Sequence, residues 1–551
     1  MVNTLHSKAT AERFRQLQNQ LREWTKSPEE GKLWQSVDIF DQDDYDILVI
    51  PSFSIDQQVG DKVSGFLHYE ERLLFSLIRL RNPLTRVIYI TALPLCPIVI
   101  DYYLQMLPGI PFSHARDRLL LISTYDGSLK PLTQKILERP RLVEKIRRAL
   151  RPNKSYMVCY NSTDLEQQLS LKLGIPLLAA SPEVLTWGSK NGSRRIFAEA
   201  GIPHPDGSYT VKNVEDLLEE LYQLWQRQPE LKRIVVKLNE GFSGEGNAVL
   251  DLRPIQNYAP GEGDDARSPL RDRQDTKTAL IEQLGKMNFQ GVGETWSTFS
   301  ARIPELGAIV EAFIEGEVKR SPSVQGYIRP SGEVEIVSTH DQILGGVDGQ
   351  VYEGCYFPAD ADYRLELQEF GLKVGEVLAA KGAIERYGVD FVVVQHPETK
   401  KWDIQAIEIN LRKGGTTHPF MTLRLLTNGT FDYDTGKFLS QQDREKYYIA
   451  TDNLQKEQYK GLLPNDLMDI IAQERLHFDS SSRTGTVFHL IGTLSQFGKL
   501  GLTSIGNSPE QAQEIYDRVV TVLDKATETI PYSNSTQDNP LPLPINWSSN
   551  Q

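Results

Sequence analysis

Short apolar runs alternate with longer amphipathic stretches in the first third of the chain. Five runs rich in β-branched residues lie at 46–52, 86–92, 118–124, 155–161 and 176–181. Helix-like stretches such as "EERLLFSLIRLR" separate them. Strands that are apolar on both faces and separated by helices are typical of a parallel sheet covered on both sides. The pattern predicts a Rossmann-like α/β layer, and because no GxGxxG follows the first run, it predicts no dinucleotide site.

The middle of the chain predicts a second α/β unit. Residues 189–207, "SKNGSRRIFAEAGIPHPDG", predict a helix that ends at Gly201. Residues 233–252 predict two strands joined by a glycine-rich loop, and residues 388–410 predict a hairpin with the turn "PETK". A region predicted to be rich in helix follows, before a polar tail at 531–551 that predicts disorder.

Composition restricts the classes of partner. The 551 residues are 40% hydrophobic and 24% charged, as in a globular protein, and can form three or four domains of roughly 150 residues. A formal net charge of −13 argues against nucleic acid as a partner, and no run approaches the ~18 apolar residues of a membrane span. The N-terminus lacks a signal-peptide core, and Cys96, Cys159 and Cys355 lack metal-ligand spacing, so we expect a cytoplasmic protein.

The predicted hairpin concentrates hard oxygen ligands at one end. Glu408 and Asn410 are two residues apart, so on a strand they share a face. A register that pairs Val394 with Ile404 also sets Asp390 opposite Glu408. Two facing carboxylates repel unless a cation lies between them, and carboxylate and amide oxygens suit Mg²⁺. The hairpin therefore predicts a magnesium site, with a solvated pair of carboxylates as the alternative.

The glycine-rich loop predicts a phosphate-binding site. "KLNEGFSGEG" contains Gly241, Gly244 and Gly246, whose backbone N–H groups can turn towards phosphate oxygens. Lys237 ends the incoming strand, where its ammonium could reach a phosphate. The loop lacks the GK[ST] of a P-loop, and a strand rather than a helix follows it. The alternative is a plain wide hairpin turn.

A third segment, "IVEAFIEGE" at 309–317, predicts a nucleotide hinge. It is a strand with acidic residues and an aromatic side chain, followed by Gly316. Phe313 could form an apolar wall for adenine, and a carboxylate could accept hydrogen bonds from the adenine amine or the ribose hydroxyls. The alternative is an exposed acidic strand.

Taken in chain order, these segments resemble the ATP-grasp superfamily. The match comprises Lys190 in "GSKNGSRRIFAEAGIPHP", "IVVKLNEGFSGEG", "VEAFIEG", "GVDFVVV" and "EINLRKGG", and covers about residues 186–425. Residues 484–519 further resemble the C-terminal domain of pheganomycin-type peptide ligases. So does "STHDQILGGVDGQVYEGCYFPA", at 338–359, which such ligases place near the substrate.

The resemblance implies an α/β fold of three parts. A Rossmann-like pre-ATP-grasp domain would occupy residues 1–185, and an ATP-grasp domain of two α+β subdomains that clamp ATP would occupy 186–430. A smaller C-terminal domain of the peptide-ligase type would follow at 431–530, before the disordered tail at 531–551.

The resemblance also implies how ATP would be bound. The implied contacts are Lys190, Lys237, Gly241, Ser243, Gly244, Gly246, Glu311, Phe313 and Glu317. The two lysines would contact the phosphates, and the glycine loop would close over them. Glu311 would accept from the adenine amine, and Phe313 would contact the base. Glu317, or alternatively Glu315, would bind the ribose.

A metal ion and two catalytic side chains complete the implied site. Asp390, Glu408 and Asn410 would hold Mg²⁺, with Mn²⁺ as an alternative. Lys237 and Arg412 would be catalytic, because they neutralise charge beside the transferred phosphate. The guanidinium of Arg412 suits the paired oxygens of an acyl phosphate.

The implied activity is ATP-dependent ligation of a carboxylate to an amine. A carboxylate takes the γ-phosphate and releases ADP, and an amine then displaces phosphate to form an amide bond. The substrates would be amino acids or short peptides, and the enzyme could be a homodimer. His418 and His340 are candidate bases for the amine, with structural roles as the alternative. Rival functions are a phosphotransferase on the same fold and a nucleotide-binding regulator without catalysis.

Overall fold

The computed structural model of the chain describes residues 2–24, 44–54, 64–107, 109–240, 246–260, 269–291, 293–345 and 351–528. The predicted disordered tail lies outside these residues, as do Gly241, Ser243 and Gly244 of the glycine loop. The described strands form three sheets. Among the described helices, none has both the length and the apolar character needed to cross a membrane.

The first sheet confirms the predicted Rossmann-like layer. Its parallel strands, in the order β3-β2-β1-β4, are β1 Asp46–Ile50, β2 Arg86–Thr91, β3 Leu119–Ser123 and β4 Ser155–Cys159. The predicted fifth strand is wrong, because Leu177 forms only an isolated bridge to Met157. Pro176 has no backbone N–H to extend the ladder, and a 3₁₀ helix starts at Pro182.

Helices cover both faces of this sheet. They are α1 Val2–Trp24, a 3₁₀ helix Phe66–Arg81, α2 Pro97–Gln105, α3 Phe112–Arg116, α4 Leu132–Leu137, α5 Pro140–Ala149 and α6 Asp164–Leu173. The Thr163 side chain caps α6 by accepting from Leu165 N, and Gly174 ends the helix in a left-handed conformation. Strands β1, β2 and β4 are buried on both faces, which explains their apolar runs without alternation.

The second sheet is antiparallel, in the order β7-β6-β5-β8. Its strands are β5 Arg233–Leu238, β6 Asn247–Asp251, β7 Asn288–Phe289 and β8 Ala308–Ala312. The helices of this part are α7 Lys190–Ala200, α8 Val214–Arg227, α9 Pro269–Leu284 and α10 Trp296–Leu306, with 3₁₀ helices Pro182–Gly188 and Arg253–Tyr258. Asn213 caps α8, and Leu217, Leu221, Leu224 and Trp225 bury its apolar face. The predicted end of α7 at Gly201 is confirmed.

The third sheet has eleven strands, of which eight follow the order β14-β13-β10-β11-β12-β17-β16-β15. The strands are β9 Lys319–Arg320, β10 Pro322–Ile328, β11 Val334–Gly345, β12 Val351–Phe357, β13 Glu385–Gln395, β14 Trp402–Asn410, β15 Thr430–Asp432, β16 Lys437–Leu439, β17 Glu445–Gln455, β18 Gly485–His489 and β19 Lys499–Gly506. β9 pairs with β13, and β19 pairs with both β17 and β18. Strands of the predicted ATP-grasp domain thus continue directly into strands of the predicted C-terminal domain.

Helices of the third part lie between and after these strands. They are α11 Arg364–Ala380, α12 Thr417–Thr427, α13 Pro464–Glu474, α14 Leu494–Phe497 and α15 Pro509–Ala526, with 3₁₀ helices Glu457–Tyr459 and Ile491–Thr493. The region after β14 was predicted to be rich in helix, but it also supplies the five strands β15 to β19. The residue pairs Gly354–Thr451 and Phe357–Tyr448 mark the ends of the ladder that joins β12 to β17.

Candidate active site

The hairpin β13–β14 brings the predicted metal-binding side chains together. Asp390 lies directly opposite Glu408, as the sequence predicted. Asn410 Nδ2 donates to Asp390 Oδ2 over 2.8 Å, and Gln342 Nε2 donates to Asp390 Oδ1 over 2.8 Å. Arg412 Nη2 donates to Asn410 Oδ1 over 2.7 Å, so the predicted catalytic arginine lies against the same corner.

The register of this hairpin changes along its length. Near the turn, the predicted pairing of Val394 with Ile404 is wrong, because Val393 pairs with Ile404. A β-bulge lies between the two ends, and Ile407 is the unpaired residue. The bulge also changes which face is buried, since Ile404 and Ile409 lie in the core whereas Ile407 is half-buried.

The charges at this corner suit a divalent cation. Burial of Asp390 and the facing charge of Glu408 raise the pKa of the Asp390 carboxyl to about 6. A cation between the two carboxylates would relieve that repulsion. Two carboxylates and an amide oxygen form a hard-oxygen set, which fits Mg²⁺ or Mn²⁺ better than a soft metal.

Helix α7 connects the corner to the second sheet. Lys190, the first residue of α7, contacts the Glu408 carboxylate through its ammonium, and its side chain is only 8% exposed. Ser193 Oγ accepts from the backbone N–H of Ile409 over 2.9 Å, which fixes the helix against β14. Asn239, just after β5, accepts from the Lys190 backbone N–H over 3.2 Å. The start of α7 is therefore held by both sheets.

A buried ion triad lies on the second sheet. Glu311 on β8 is 3% exposed, with Oε1 2.9 Å from Arg194 Nη1 and Oε2 2.5 Å from Lys237 Nζ. Burial alone would raise the pKa of the Glu311 carboxyl, but the two cations hold it below its usual value. Both carboxylate oxygens of Glu311 thus have cationic partners beside the predicted adenine site. Arg194 was not among the predicted site residues, although its position four residues after Lys190 puts it on the same helix face.

The predicted hinge follows β8. Phe313 is half-buried and contacts two cations, with Arg233 Cζ 3.8 Å and Lys319 Nζ 4.4 Å from its ring centroid. Glu315 and Glu317 are both exposed, and Arg233 also forms an ion pair with Glu315. Of the two residues predicted for ribose, Glu315 therefore has a protein partner already.

The glycine loop enters and leaves on paired strands. β5 and β6 pair antiparallel up to Lys237 and Asn247, so the predicted strand–loop–strand unit is confirmed. Gly246 has φ of 89°, a conformation that favours glycine, and its carbonyl accepts from Leu238 N over 2.8 Å. This glycine closes the loop, whose other predicted contacts lie outside the described residues.

The two candidate bases lie in the protein core. His340 is fully buried, its Nε2 lies 2.7 Å from the Tyr448 hydroxyl, and burial lowers the pKa of its imidazole to about 3. His418 is 3% exposed and lies 2.8 Å from Asp452. Asp452 and its second partner, His489, were not predicted, because no spacing pattern connects residues this far apart.

Comparison with protein families matches two parts of the chain. The model described as "IQCH-like, ATP-grasp" matches residues 182–434. The model described as "PGM1 C-terminal domain" matches residues 466–519. These matches confirm the predicted fold, with an ATP-grasp domain followed by a C-terminal domain.

Two curated proteins match most of the chain. The L-propargylglycine–L-glutamate ligase of Streptantibioticus cattleyicolor is 30% identical over 494 residues, which cover 86% of this chain and 93% of that protein. The IQ motif-containing protein H of Danio rerio is 21% identical over 510 residues, which cover 87% of this chain and 48% of that protein.

Solved structures of low sequence identity also resemble this chain. A biotin carboxylase–β,γ-ATP complex from Campylobacter jejuni has a TM-score of 0.49 at 12% identity, covering 90% of this chain and 97% of that chain. An N5-carboxyaminoimidazole synthetase from Staphylococcus aureus in complex with ADP has a TM-score of 0.46 at 12% identity, covering 87% and 97%.

Proposed function

Since this chain belongs to the ATP-grasp ligases, in the family of the L-propargylglycine–L-glutamate ligase, we propose that it joins the carboxylate of one amino acid to the amine of another amino acid or short peptide. The reaction is an ATP- and magnesium-dependent ligation that forms an amide bond and releases ADP and phosphate. The observation that carries the proposal is the corner where Asp390, Glu408 and Asn410 meet, with Lys190 and Arg412 against it.

Two sets of side chains bind MgATP in this proposal, one for the metal ion and one for the phosphates. We assign Asp390, Glu408 and Asn410 to the metal and Lys190 and Lys237 to the phosphates. Bound Mg²⁺ supplies charge neutralisation at the phosphate oxygens. Each lysine is paired with a carboxylate, so its ammonium is already positioned and loses little side-chain freedom when a phosphate replaces that partner.

Arg412 is the residue we assign to the transferred phosphate. Its Nη2 group is held by Asn410, and Nη1 donates to the backbone carbonyl of Lys413 over 3.3 Å. Guanidinium groups donate in a planar fork that matches paired phosphate or carboxylate oxygens. Anchored this way, Arg412 can orient an acyl phosphate and spread its charge while the amine attacks the carbonyl carbon.

The nucleotide base belongs on the second sheet. We assign Phe313 to the adenine ring and Glu311 to the adenine amine, with Glu317 at the ribose because Glu315 is paired with Arg233. Once Lys237 turns to the phosphates, Glu311 Oε2 can accept from the adenine amine, and Arg194 still neutralises the carboxylate at Oε1. We assign closure over the phosphates to the loop that contains Gly241, Ser243, Gly244 and Gly246.

The test combines product analysis with a nucleotide assay. The purified protein is incubated with ATP, Mg²⁺ and pooled amino acids and short peptides, and ADP, AMP, phosphate and new masses are recorded. We expect ADP and phosphate, with a product mass equal to two inputs minus water. AMP would overturn the acyl-phosphate route. A phosphorylated product without condensation would establish a phosphotransferase instead.

Oligomeric state and cellular location are two further parts of the proposal. We propose a homodimer in the cytoplasm, and light scattering on the purified chain together with fractionation of cells measures both. A monomer at assay concentrations would exclude the dimer without affecting the proposed reaction, because all the assigned side chains lie in one chain.

A further inference from the structure

Three buried side chains from distant parts of the chain converge on one point. His418 lies at the start of α12, Asp452 lies on β17, and His489 ends β18. His418 Nε2 is 2.8 Å and His489 Nε2 is 2.7 Å from the same oxygen, Asp452 Oδ1. The two imidazole nitrogens are 3.0 Å apart. All three residues are at most 5% exposed.

Hydrogen bonds between neutral imidazoles and the carboxylate satisfy at most two edges of this triangle. A neutral imidazole carries one N–H group, so it donates from only one ring nitrogen. If both Nε2 atoms carry hydrogen, both donate to Asp452 Oδ1, and the two nitrogens 3.0 Å apart on the third edge have no acceptor between them. If His418 instead carries its hydrogen on Nδ1, its Nε2 can accept from His489 Nε2 but no longer donates to Asp452 Oδ1. The same exchange occurs, with the roles reversed, if His489 carries its hydrogen on Nδ1. A metal ion resolves this, because all three atoms bind it through lone pairs at once.

We propose that His418, Asp452 and His489 bind one divalent transition-metal ion of the Zn²⁺ class. Two imidazole nitrogens and one carboxylate oxygen are ligands that Zn²⁺ accepts at about 2 Å. An ion about 2 Å from all three atoms, which are 2.7 to 3.0 Å apart, lies about 1 Å from their plane, and the side away from that plane is open to a further ligand. Nitrogen ligands favour Zn²⁺ over Mg²⁺, so this site differs in selectivity from the corner at Asp390.

Arg72 orients the carboxylate of this site. Its Nη2 lies 2.6 Å from Asp452 Oδ2, and its Nη1 donates to the Tyr160 hydroxyl over 3.0 Å. The guanidinium therefore holds one carboxylate oxygen and leaves Oδ1 to face the imidazoles. Because Arg72 already neutralises Asp452, a bound dication leaves excess positive charge, which selects an anionic fourth ligand such as hydroxide.

The surrounding fold shapes the position of His489. Its strand partner on β19 is Gly501, and a Cβ atom there would lie 2.2 Å from His489 Cδ2. Glycine at this position thus leaves room for the imidazole ring to lie against the sheet. With Arg72 on the 3₁₀ helix Phe66–Arg81, the ion joins the N-terminal layer, α12 and the strands after residue 430 at a single point.

Metal content and cobalt spectroscopy test the proposal on the full chain. The untagged protein is stripped with a chelator, reloaded with Zn²⁺ in excess Mg²⁺, dialysed and assayed for bound zinc. Co²⁺ is added to a parallel sample, because cobalt on nitrogen ligands in a low-coordinate site absorbs visible light strongly. We expect one Zn²⁺ per chain and a cobalt spectrum, with both lost in His489→Ala.

Two controls make the result specific. His340→Gln changes another buried histidine and should keep both signals, and Glu408→Gln should keep them because it alters only the magnesium corner. A wild-type chain that binds no Zn²⁺ after reloading and gives no cobalt spectrum would overturn the proposal, leaving a hydrogen-bonded cluster. Since these readouts on the wild-type chain need no variant, the proposal stays testable even if His489→Ala does not fold.

Discussion

Lys190 and Glu408 form an ion pair across the boundary between α7 and β14. The sequence-based prediction assigned Lys190 to the phosphates of ATP and Glu408 to the metal ion. In the structure the two side chains are in direct contact. Arg194, one turn later on α7, pairs in the same way with Glu311 on β8. One helix face therefore links the two sheets that would enclose ATP.

The substitution Glu408→Gln should abolish turnover. The amide of the variant keeps a hydrogen-bonding oxygen for Lys190 but lacks the charge that a magnesium ion needs. We expect phosphate release to fall by about 100-fold or more. Asp403→Asn is the matched control, because Asp403 lies on the same strand with an exposed side chain and should keep normal turnover. Wild-type turnover in the Glu408→Gln variant would contradict the assignment of Glu408 to the magnesium ion.

Arg194→Met should destabilise the fold. It leaves Glu311 buried with one cation instead of two, and breaking a buried ion pair costs about 3 kcal/mol. Urea denaturation of the variant measures the change in the free energy of unfolding. The neighbouring Arg195→Met serves as control, because Arg195 is exposed, and it should change stability by less than about 1 kcal/mol. Equal stability of the two variants would contradict a structural role for the triad.

The raised pKa of Asp390 predicts a pH-dependent loss of stability without metal. The folded state holds a proton on this carboxyl up to pH of about 6, whereas an unfolded aspartate loses it near pH 3.8. Stability therefore falls as pH rises between these values, by about 3 kcal/mol for this residue. Asp390→Asn should lack this loss, so its stability relative to wild type rises between pH 4 and pH 7.

The prediction is checked by measuring unfolding across that pH range in two buffers. One contains a chelator, and the other contains Mg²⁺ in excess of any chelator. Added Mg²⁺ should restore wild-type stability at pH 7, because it binds the ionised carboxylates, and should leave the Asp390→Asn profile nearly unchanged. Parallel pH profiles for wild type and variant would show that Asp390 titrates normally.

Phe313→Ala should weaken ATP binding without altering the chemical step. The ring supplies apolar contact area at the predicted adenine site, and its loss should raise KM for ATP by about tenfold. Turnover at saturating ATP should stay within a few-fold of wild type. Val318→Ala, in the exposed segment just after the hinge, is the control and should leave both constants unchanged. A fall in kcat at constant KM would contradict the assignment of Phe313 to the adenine site.

Hairpin register alone predicted that the two carboxylates face each other. The predicted pairing is correct at the end of the hairpin away from the turn and wrong near the turn. The pairing of Asp390 with Glu408 is correct, although the pairing of Val394 with Ile404 in the same register is not. The bulge at Ile407 accounts for the difference. The sequence has no glycine or proline at that position from which a bulge could have been predicted. Order of motifs and local periodicity thus predicted which side chains meet at this corner, but not the register near the turn.

Contacts between distant segments could not be predicted. Asp452 and His489 carry no local motif, and they meet His418 only because β17, β19 and β18 pair side by side. Arg194 is an intermediate case, since helical spacing placed it near Lys190 while its partner Glu311 lies on another element. Prediction from one sequence therefore succeeds where periodicity defines a neighbour and fails where tertiary packing does.

The ladder between β12 and β17 has a consequence for how such enzymes diverge. The chain after residue 430 is not a portable module, because its removal would leave the edge of β12 with unpaired donors and acceptors that invite aggregation. A chimera that exchanges this part between two ligases must carry strands of matching length and register. Substrate preference in this family is therefore expected to evolve by substitution and loop change within one continuous sheet rather than by swapping whole domains.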